Sequence, residues 1–265
     1  MSASRSLDGQ TALITGSTSG IGLQFAKGLA ESGANIVLNG LGDEAEIEKT
    51  RAELASECGV EVRYHPANML EPDEIAYMVA FAKSEFGRLD ILVCNAGIQH
   101  VEKIEDFPKE KWDAIIAINL SSAFHAIKHA MPVMKAQGRG RIVNLASVHG
   151  LISSPFKSAY VAAKHGMVGL TKTVAQEGGE FGVTCNAICP GYVKTPLVEA
   201  QIPDQAKSRG ISEEEVVEKV FLADTFTKKF TDYDQLVGLL RYLVSDAGAS
   251  TTGVAIPVDG GWLTH

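Results

Sequence analysis

Seven short aliphatic and β-branched runs recur along the chain, separated by longer stretches with helical spacing, and this alternation constrains the fold most. The runs are Thr11–Thr15, Asn35–Asn39, Val60–His65, Asp90–Cys94, Gly140–Ala146, Val183–Ile188 and Val254–Val258. Helical stretches span Ile21–Ser32, Glu44–Glu57, Pro72–Phe86, Lys109–Lys135, Ser158–Phe181 and Tyr233–Leu243. In the first of these Ile21, Phe25 and Leu29 recur four residues apart, so they line one face of a helix. Pro132 should end or kink the long fourth helix. Alternation of this kind means βαβ units, a parallel sheet and right-handed crossovers that cover both faces with helices. Seven strands in one series leave no second core, so the 265 residues are expected to form one doubly wound α/β domain. Residues 195–231 break the rhythm with Pro196, Pro203, Gly210 and the acidic run Glu213-Glu214-Glu215. That run reads as a solvated helix, and the whole segment, following a strand end, is a candidate substrate lid.

Charge narrows the ligand class. Lys and Arg number 24 against 32 Asp and Glu, a formal charge of −8. No basic surplus exists to neutralise nucleic-acid phosphates, although a few placed cations could still hold a small anion. No run of about 18 apolar residues suggests a membrane span. Met1–Asp8 holds one arginine and no apolar run, unlike a secretory signal, so a cytoplasmic location is expected. Cys58, Cys94, Cys185 and Cys189 form no CxxC pair and have no histidines at zinc spacing, so reduced thiols and no metal are expected. Cys185 and Cys189, near a strand end, should pack rather than react.

The first strand runs into Thr15-Gly16-Ser17-Thr18-Ser19-Gly20-Ile21-Gly22 and then directly into a helix. Glycines there let the backbone turn tightly and approach a pyrophosphate, while the helix start offers free N–H groups and a positive dipole end. The spacing is GxxxGxG rather than the commoner GxGxxG, and the strand–loop–helix context is what favours a dinucleotide. The second strand ends in Asn39-Gly40-Leu41-Gly42-Asp43, with no Lys or Arg to meet a 2′-phosphate, which favours NAD over NADP. Asp43 could reach the adenosine ribose or cap the next helix.

Ser147 lies at the end of the fifth strand, Tyr160 follows thirteen residues later, and Lys164 stands one helical turn beyond it. A free phenol with a pKa near 10 is too weak a base at neutral pH. A neighbouring ammonium favours the phenolate, which can then take a proton from a hydroxyl as hydride leaves the same carbon. Ser147 sits where open parallel sheets bind ligands and can hold the substrate oxygen.

With Thr15–Gly22, Asn95-Ala96-Gly97, Asn119, Ser147, Tyr160-Val-Ala-Ala-Lys164 and Pro190-Gly191 in this order, the chain resembles the short-chain dehydrogenase/reductase family over nearly its full length. The resemblance implies a Rossmann-type domain, Tyr160 as acid and base, and Lys164 binding the nicotinamide ribose and lowering the tyrosine pKa. It implies Ser147 positioning the substrate and Asn119 holding a proton-relay water. The implied dinucleotide contacts are Gly16, Thr18, Ser19, Gly20, Ile21, Gly22, Leu41, Asn68, Met69, Asn95, Ala96, Gly97, Tyr160, Lys164, Pro190, Gly191, Val193 and Thr195. Asn68 stands where the family usually has an aspartate; it keeps a donor and an acceptor. A homotetramer is also implied.

Within that family the chain looks most like the bacterial 3-hydroxybutyrate dehydrogenases. The shared stretches are Asn39–Asp43, Ala96–His100, Ser147-Val-His149, Lys157–Tyr160, Leu197–Gln201 and Gly260-Gly261-Trp262. The resemblance implies that Gln99, His149, Lys157 and Gln201 bind the carboxylate of a short 3-hydroxy acid, and that Trp262 walls its methyl end. Plainer readings stand beside these: Lys157 as a solvated helix start, His149 as a loop histidine, Trp262 as a subunit contact. Two rival functions remain. A reductase of an acyl thioester or sugar would want NADP or a basic surface, and a catalytically silent dinucleotide-binding protein should lack Ser147, Tyr160 or Lys164.

Overall fold

Strands β1 (Thr11–Ile14), β2 (Asn35–Asn39), β3 (Val62–His65), β4 (Ile91–Cys94), β5 (Gly140–Leu145), β6 (Val183–Pro190) and β7 (Ala255–Val258) form one sheet in the order β3-β2-β1-β4-β5-β6-β7. All six pairings are parallel. The computed structural model describes residues 6–264. The main helices are α1 (Gly20–Glu31), α2 (Glu44–Cys58), α3 (Pro72–Phe86), α4 (Lys109–Ile116), α5 (Ser122–Gln137) and α6 (Ser158–Gly178). After them come α7 (Pro196–Glu199), α8 (Ile202–Arg209), α9 (Glu213–Val216) and α10 (Tyr233–Val244).

Two apolar layers sandwich the sheet. Strand side chains alternate between faces. Leu13 and Val37 join one layer, with Met78 of α3, Ile127 of α5 and Met167 of α6. Ile14 and Leu38 join the other, with Phe25 of α1, Leu54 of α2 and Leu240 of α10. The expected Rossmann-type domain, with helices on both faces, is therefore present.

Most element limits fall within two residues of the sequence reading; the long helix at 109–135 differs more. It divides into α4 and α5 around a π-helical turn, Ala117–Ser121, and Pro132 neither ends nor breaks α5. Pro132 and Lys128, whose carbonyl the proline leaves without an N–H, are both exposed, so the freed group lies on the solvent side of the helix. The helix ends instead at Gly138, in the left-handed region at φ 69°. Ser158–Phe181 is helical only to Gly178, with one tight 3₁₀ turn beyond.

The irregular segment 195–231 leaves and rejoins the body at one place. Thr231 N–H donates to the Tyr192 carbonyl at 2.9 Å, and Val193 and Thr231 form a parallel bridge. Its acidic run forms the first turn of α9, where Ser212 and Glu215 make a capping box and the carboxylates complement the helix dipole. All four cysteines are free, and three are buried. Burial pushes the Cys94 thiol up to about 12 and Cys189 to about 11, which keeps them protonated and unreactive. No helix among the described residues is long and apolar enough to cross a membrane.

Asp90 ties the amino ends of β1 and β4 together. Its fully buried carboxylate accepts from Thr11 N–H at 2.9 Å and from Arg88 at 2.7 and 2.6 Å. Asp90→Ala orphans the buried Thr11 N–H and is expected to cost about 2 kcal/mol. Urea unfolding should show a lower midpoint at unchanged slope, and an unchanged midpoint would refute the bracing role.

Candidate active site

A cavity of about 460 Å³ opens along the carboxyl ends of β1, β2, β4, β5 and β6. Gly16, Thr18, Ser19, Gly20 and Ile21 form one end, and Ser147, Tyr160 and Lys164 the other. Leu41, Asn68, Met69, Asn95, Ala96, Gly97, Pro190, Gly191, Val193 and Thr195 also line it. The loop fits a pyrophosphate. Gly16 has φ 62° and packs so tightly on Ala96 that a Cβ would come within 2.9 Å of its Cα. Ser19 extends into α1 without capping it, which leaves first-turn N–H groups open to an anion, and no acidic side chain occupies that turn. A Cβ at Gly40 would lie 2.4 Å from Thr18 Oγ1, so the end of β2 can approach the loop only as glycine.

The sequence reading missed Asn39. Its side chain is fully buried, accepts from Gly16 N–H at 3.2 Å and donates to the His65 and Ala67 carbonyls at 3.1 and 2.9 Å. One amide therefore pins the loop to the ends of β2 and β3. Asp43 takes the capping role, accepting from Ala45 N–H and Glu46 N–H, both at 3.0 Å. Asn68 spends its carbonyl oxygen on Leu70 N–H at 3.0 Å. Lys164 is the sole cationic side chain among the described residues lining this cavity.

Gly22 and Asn119 also have structural partners beside the cavity. Gly22 does not line the cavity. A Cβ there would stand 2.3 Å from the Gly16 carbonyl oxygen and 2.4 Å from Asn95 Nδ2, so only a glycine lets α1 pack this closely on the loop. The Asn119 side chain is fully buried and committed to Ile98, accepting from its N–H at 2.8 Å and donating to its carbonyl at 2.9 Å. It braces the chain after β4 and presents no amide to the cavity.

Tyr160 and Lys164 lie on one face of α6. Lys164 Nζ is 5.5 Å from the tyrosine ring centroid and donates to the Leu145 carbonyl at 2.6 Å. Burial pushes this ammonium down to about 8. The same burial pushes the Tyr160 phenol up to about 12, and the hydrogen bond with Ser147 only partly opposes the rise. Desolvation thus dominates the phenol, and Lys164 is not among the groups that shift it.

Beside Tyr160 a smaller cavity of about 70 Å³ collects Gln99, Ser147, His149, Lys157, Gln201 and Trp262 from five separate stretches of chain. All five residues read from the sequence as substrate contacts therefore meet at one place. Lys157 is buried, not a solvated helix start, and burial, with a smaller push from Arg209, lowers it to about 8. His149 packs edge-on to Trp262 with ring centroids 5.5 Å apart. Its backbone N–H donates to Ser147 Oγ at 3.1 Å, while its Nε2 and Gln99 Oε1 are buried without a protein partner. Tyr192 was not foreseen. Its hydroxyl accepts from Lys157 Nζ at 3.0 Å, and its ring stacks between Phe221 at 4.4 Å and Trp262 at 5.3 Å. Its position directly after Pro190-Gly191 was the available signal.

The model of the short chain dehydrogenase family matches residues 10–206. A D-beta-hydroxybutyrate dehydrogenase of Rhizobium meliloti (strain 1021) is 60% identical over 256 residues, covering 97% of this chain and 99% of that protein. Another from Cupriavidus necator is 52% identical over 259 residues, covering 98% and 100%. Among solved structures, an actinorhodin polyketide ketoreductase with NADPH superposes with a TM-score of 0.91 at 31% identity, covering 97% of this chain and 98% of that one.

Burial, with smaller contributions from Lys157 and His165, pushes the His149 imidazole down to about 3. The unfolded chain protonates this histidine below about pH 6.5, whereas the folded chain does so only near 3. Stability is therefore lost as pH falls through that window. Relative to His149→Gln, the native chain should lose about 3 kcal/mol between pH 7 and pH 4. Parallel pH–stability curves for the two proteins would contradict a neutral buried His149.

Proposed function

The chain belongs to the short-chain dehydrogenase family, and we propose that it oxidises (R)-3-hydroxybutyrate to acetoacetate, reversibly, with NAD. The observation that carries this reading is the small cavity against Tyr160, where the buried Lys157 ammonium meets His149, Gln99 and Gln201. A buried cation without a carboxylate among the described lining residues suits a small anion. An amide on either side fixes the orientation of a carboxylate through charge-assisted hydrogen bonds. Trp262 and Tyr192 close the far side, which limits chain length. The names of the relatives at 60% and 52% identity support the same substrate.

When bound, the nicotinamide supplies the hydride acceptor. Ser147 Oγ hydrogen bonds the substrate oxygen, and Tyr160 exchanges the hydroxyl proton. Lys164 contributes the positive charge that favours the phenolate during oxidation, while the protonated phenol is the form needed to reduce a ketone. The absence of Lys and Arg from the described lining around Gly40 and Leu41 favours NAD over its 2′-phosphate. Residues 195–231 serve as the lid that brings Gln201 to the substrate. A cytoplasmic location and the homotetramer implied by the family resemblance belong to the same reading.

Mixing the protein with NAD and each enantiomer of 3-hydroxybutyrate should yield NADH from the (R) form and little from the (S) form or with NADP. Absence of turnover with the (R) acid would refute the substrate. Tyr160→Phe should lower kcat by about a thousandfold while NAD still binds. Lys157→Ala should raise KM for 3-hydroxybutyrate about 10- to 100-fold and leave kcat/KM for butan-2-ol nearly unchanged. Equal losses on both substrates would remove Lys157 from carboxylate recognition.

A further inference from the structure

A second cavity, of about 320 Å³, lies at the opposite end of the sheet from the dinucleotide cradle. Parallel strands place their carboxyl ends at the active site, so the starts of β5 and β6 face away from it. There Arg141 and Thr184 stand side by side in register, and both line the cavity with Arg139, Gly138, Gly182 and Thr252.

Arg141 has an unusual set of partners. It is only 4% exposed, yet no carboxylate among the described residues pairs with it. Its Nη1 donates to the Gly140 and Gly182 carbonyls at 2.9 and 3.1 Å, which uses both hydrogens of that nitrogen. Its Nε–H is buried without a partner. The Nε and Nη2 edge, the side of the guanidinium suited to two oxygens at once, is thus left over. The buried Thr184 hydroxyl also lacks a partner. Thr252 Oγ1 accepts from Cys185 N–H at 3.1 Å, which leaves its own proton to donate. Arg139 adds a second positive charge at the rim, where Asp246 pairs with its Nη1.

We propose that this cavity is a second ligand site, built to take a small oxyanion, phosphate or carboxylate, on the Nε/Nη2 edge of Arg141 with Thr184 as an additional donor. Burial and the neighbouring Arg139 both disfavour the Arg141 charge and Asp246 opposes them only in part, so a bound anion would offset the remaining cost. The backbone carbonyls of Gly140 and Gly182 occupy one nitrogen only, so they do not account for the other edge. The site shares no described lining residue with the catalytic cavities. It stands or falls independently of the substrate reading.

The test is calorimetric titration of the full chain carrying Lys157→Ala, with NAD held saturating, so that the pyrophosphate cradle is filled and the carboxylate cavity beside Tyr160 has lost its cation. Inorganic phosphate and acetate are the separate titrants at constant ionic strength. Saturable binding of one of them is expected, and the tighter titrant identifies the class. Thr184→Val, which keeps shape and charge, should weaken that binding about tenfold, the loss of one charge-assisted hydrogen bond. Arg141→Lys should weaken it at least as much because the fork is lost. NAD affinity should stay constant in both variants. Failure of both anions to saturate the chain carrying Lys157→Ala alone, or undiminished binding once Thr184→Val is added to it, would overturn the proposal.

Discussion

The junction between β1 and β4 is the constraint on which the remaining geometry rests. These two strands are neighbours although three helices and two strands separate them in sequence, so the chain must switch direction across the sheet there. A crevice opens where connections diverge on either side of such a point. Asn95 holds that crevice in shape. Its Nδ2 donates to the Thr15 and Gly16 carbonyls, both at 2.8 Å, and its N–H and that of Ala96 both reach Thr15 Oγ1. The glycine loop is fixed by a strand almost eighty residues away, and Asn39 fixes it from the other side. With both amides in place, Gly16 and Gly22 can approach their neighbours at distances that no side chain would allow.

The electrostatics of the site follow from burial more than from pairing. Lys157 and Lys164 are both drawn down to about 8, while Tyr160 is raised to about 12 and His149 is held neutral. Each shift favours the uncharged form, the signature of desolvation. An acidic chain that keeps two weakly paired ammonium groups in one crevice concentrates its local attraction for anions where the reaction occurs. The two lysines divide the work by position. Lys164 faces the ring of Tyr160, whereas Lys157 faces Tyr192 and the substrate cavity.

Sheet, helices and the order Ser147, Tyr160, Lys164 were legible because each rests on local pattern: strand runs, apolar periodicity and one helical turn. The substrate cavity was legible only through resemblance, since no spacing predicts that residues 99, 149, 157, 201 and 262 converge. Asn39 and Tyr192 escaped notice because their importance lies in long-range partners, the loop backbone for one and Lys157 with Trp262 for the other. The packing role of Gly22 was not legible because it lies in the distance to the Gly16 carbonyl oxygen, which no local pattern encodes.

The π-helical turn at Ala117–Ser121 shows why one such detail matters. Periodicity from Lys109 onward reads as a single helix, and one residue too many in a turn leaves that pattern nearly intact. The wide turn carries Asn119, and both ends of the Asn119 amide meet the backbone of Ile98. Ile98 follows Gly97 of the dinucleotide cavity and precedes Gln99 of the substrate cavity. The stretch Asn95–Gln99 is thus clamped at its start by Thr15 and Gly16 and near its end by Asn119. Two clamps on five residues leave Gln99 little freedom, which is what the proposed carboxylate contact requires. Asn119, which the family resemblance implies as the holder of a proton-relay water, thus also fixes the neighbouring backbone through its side chain.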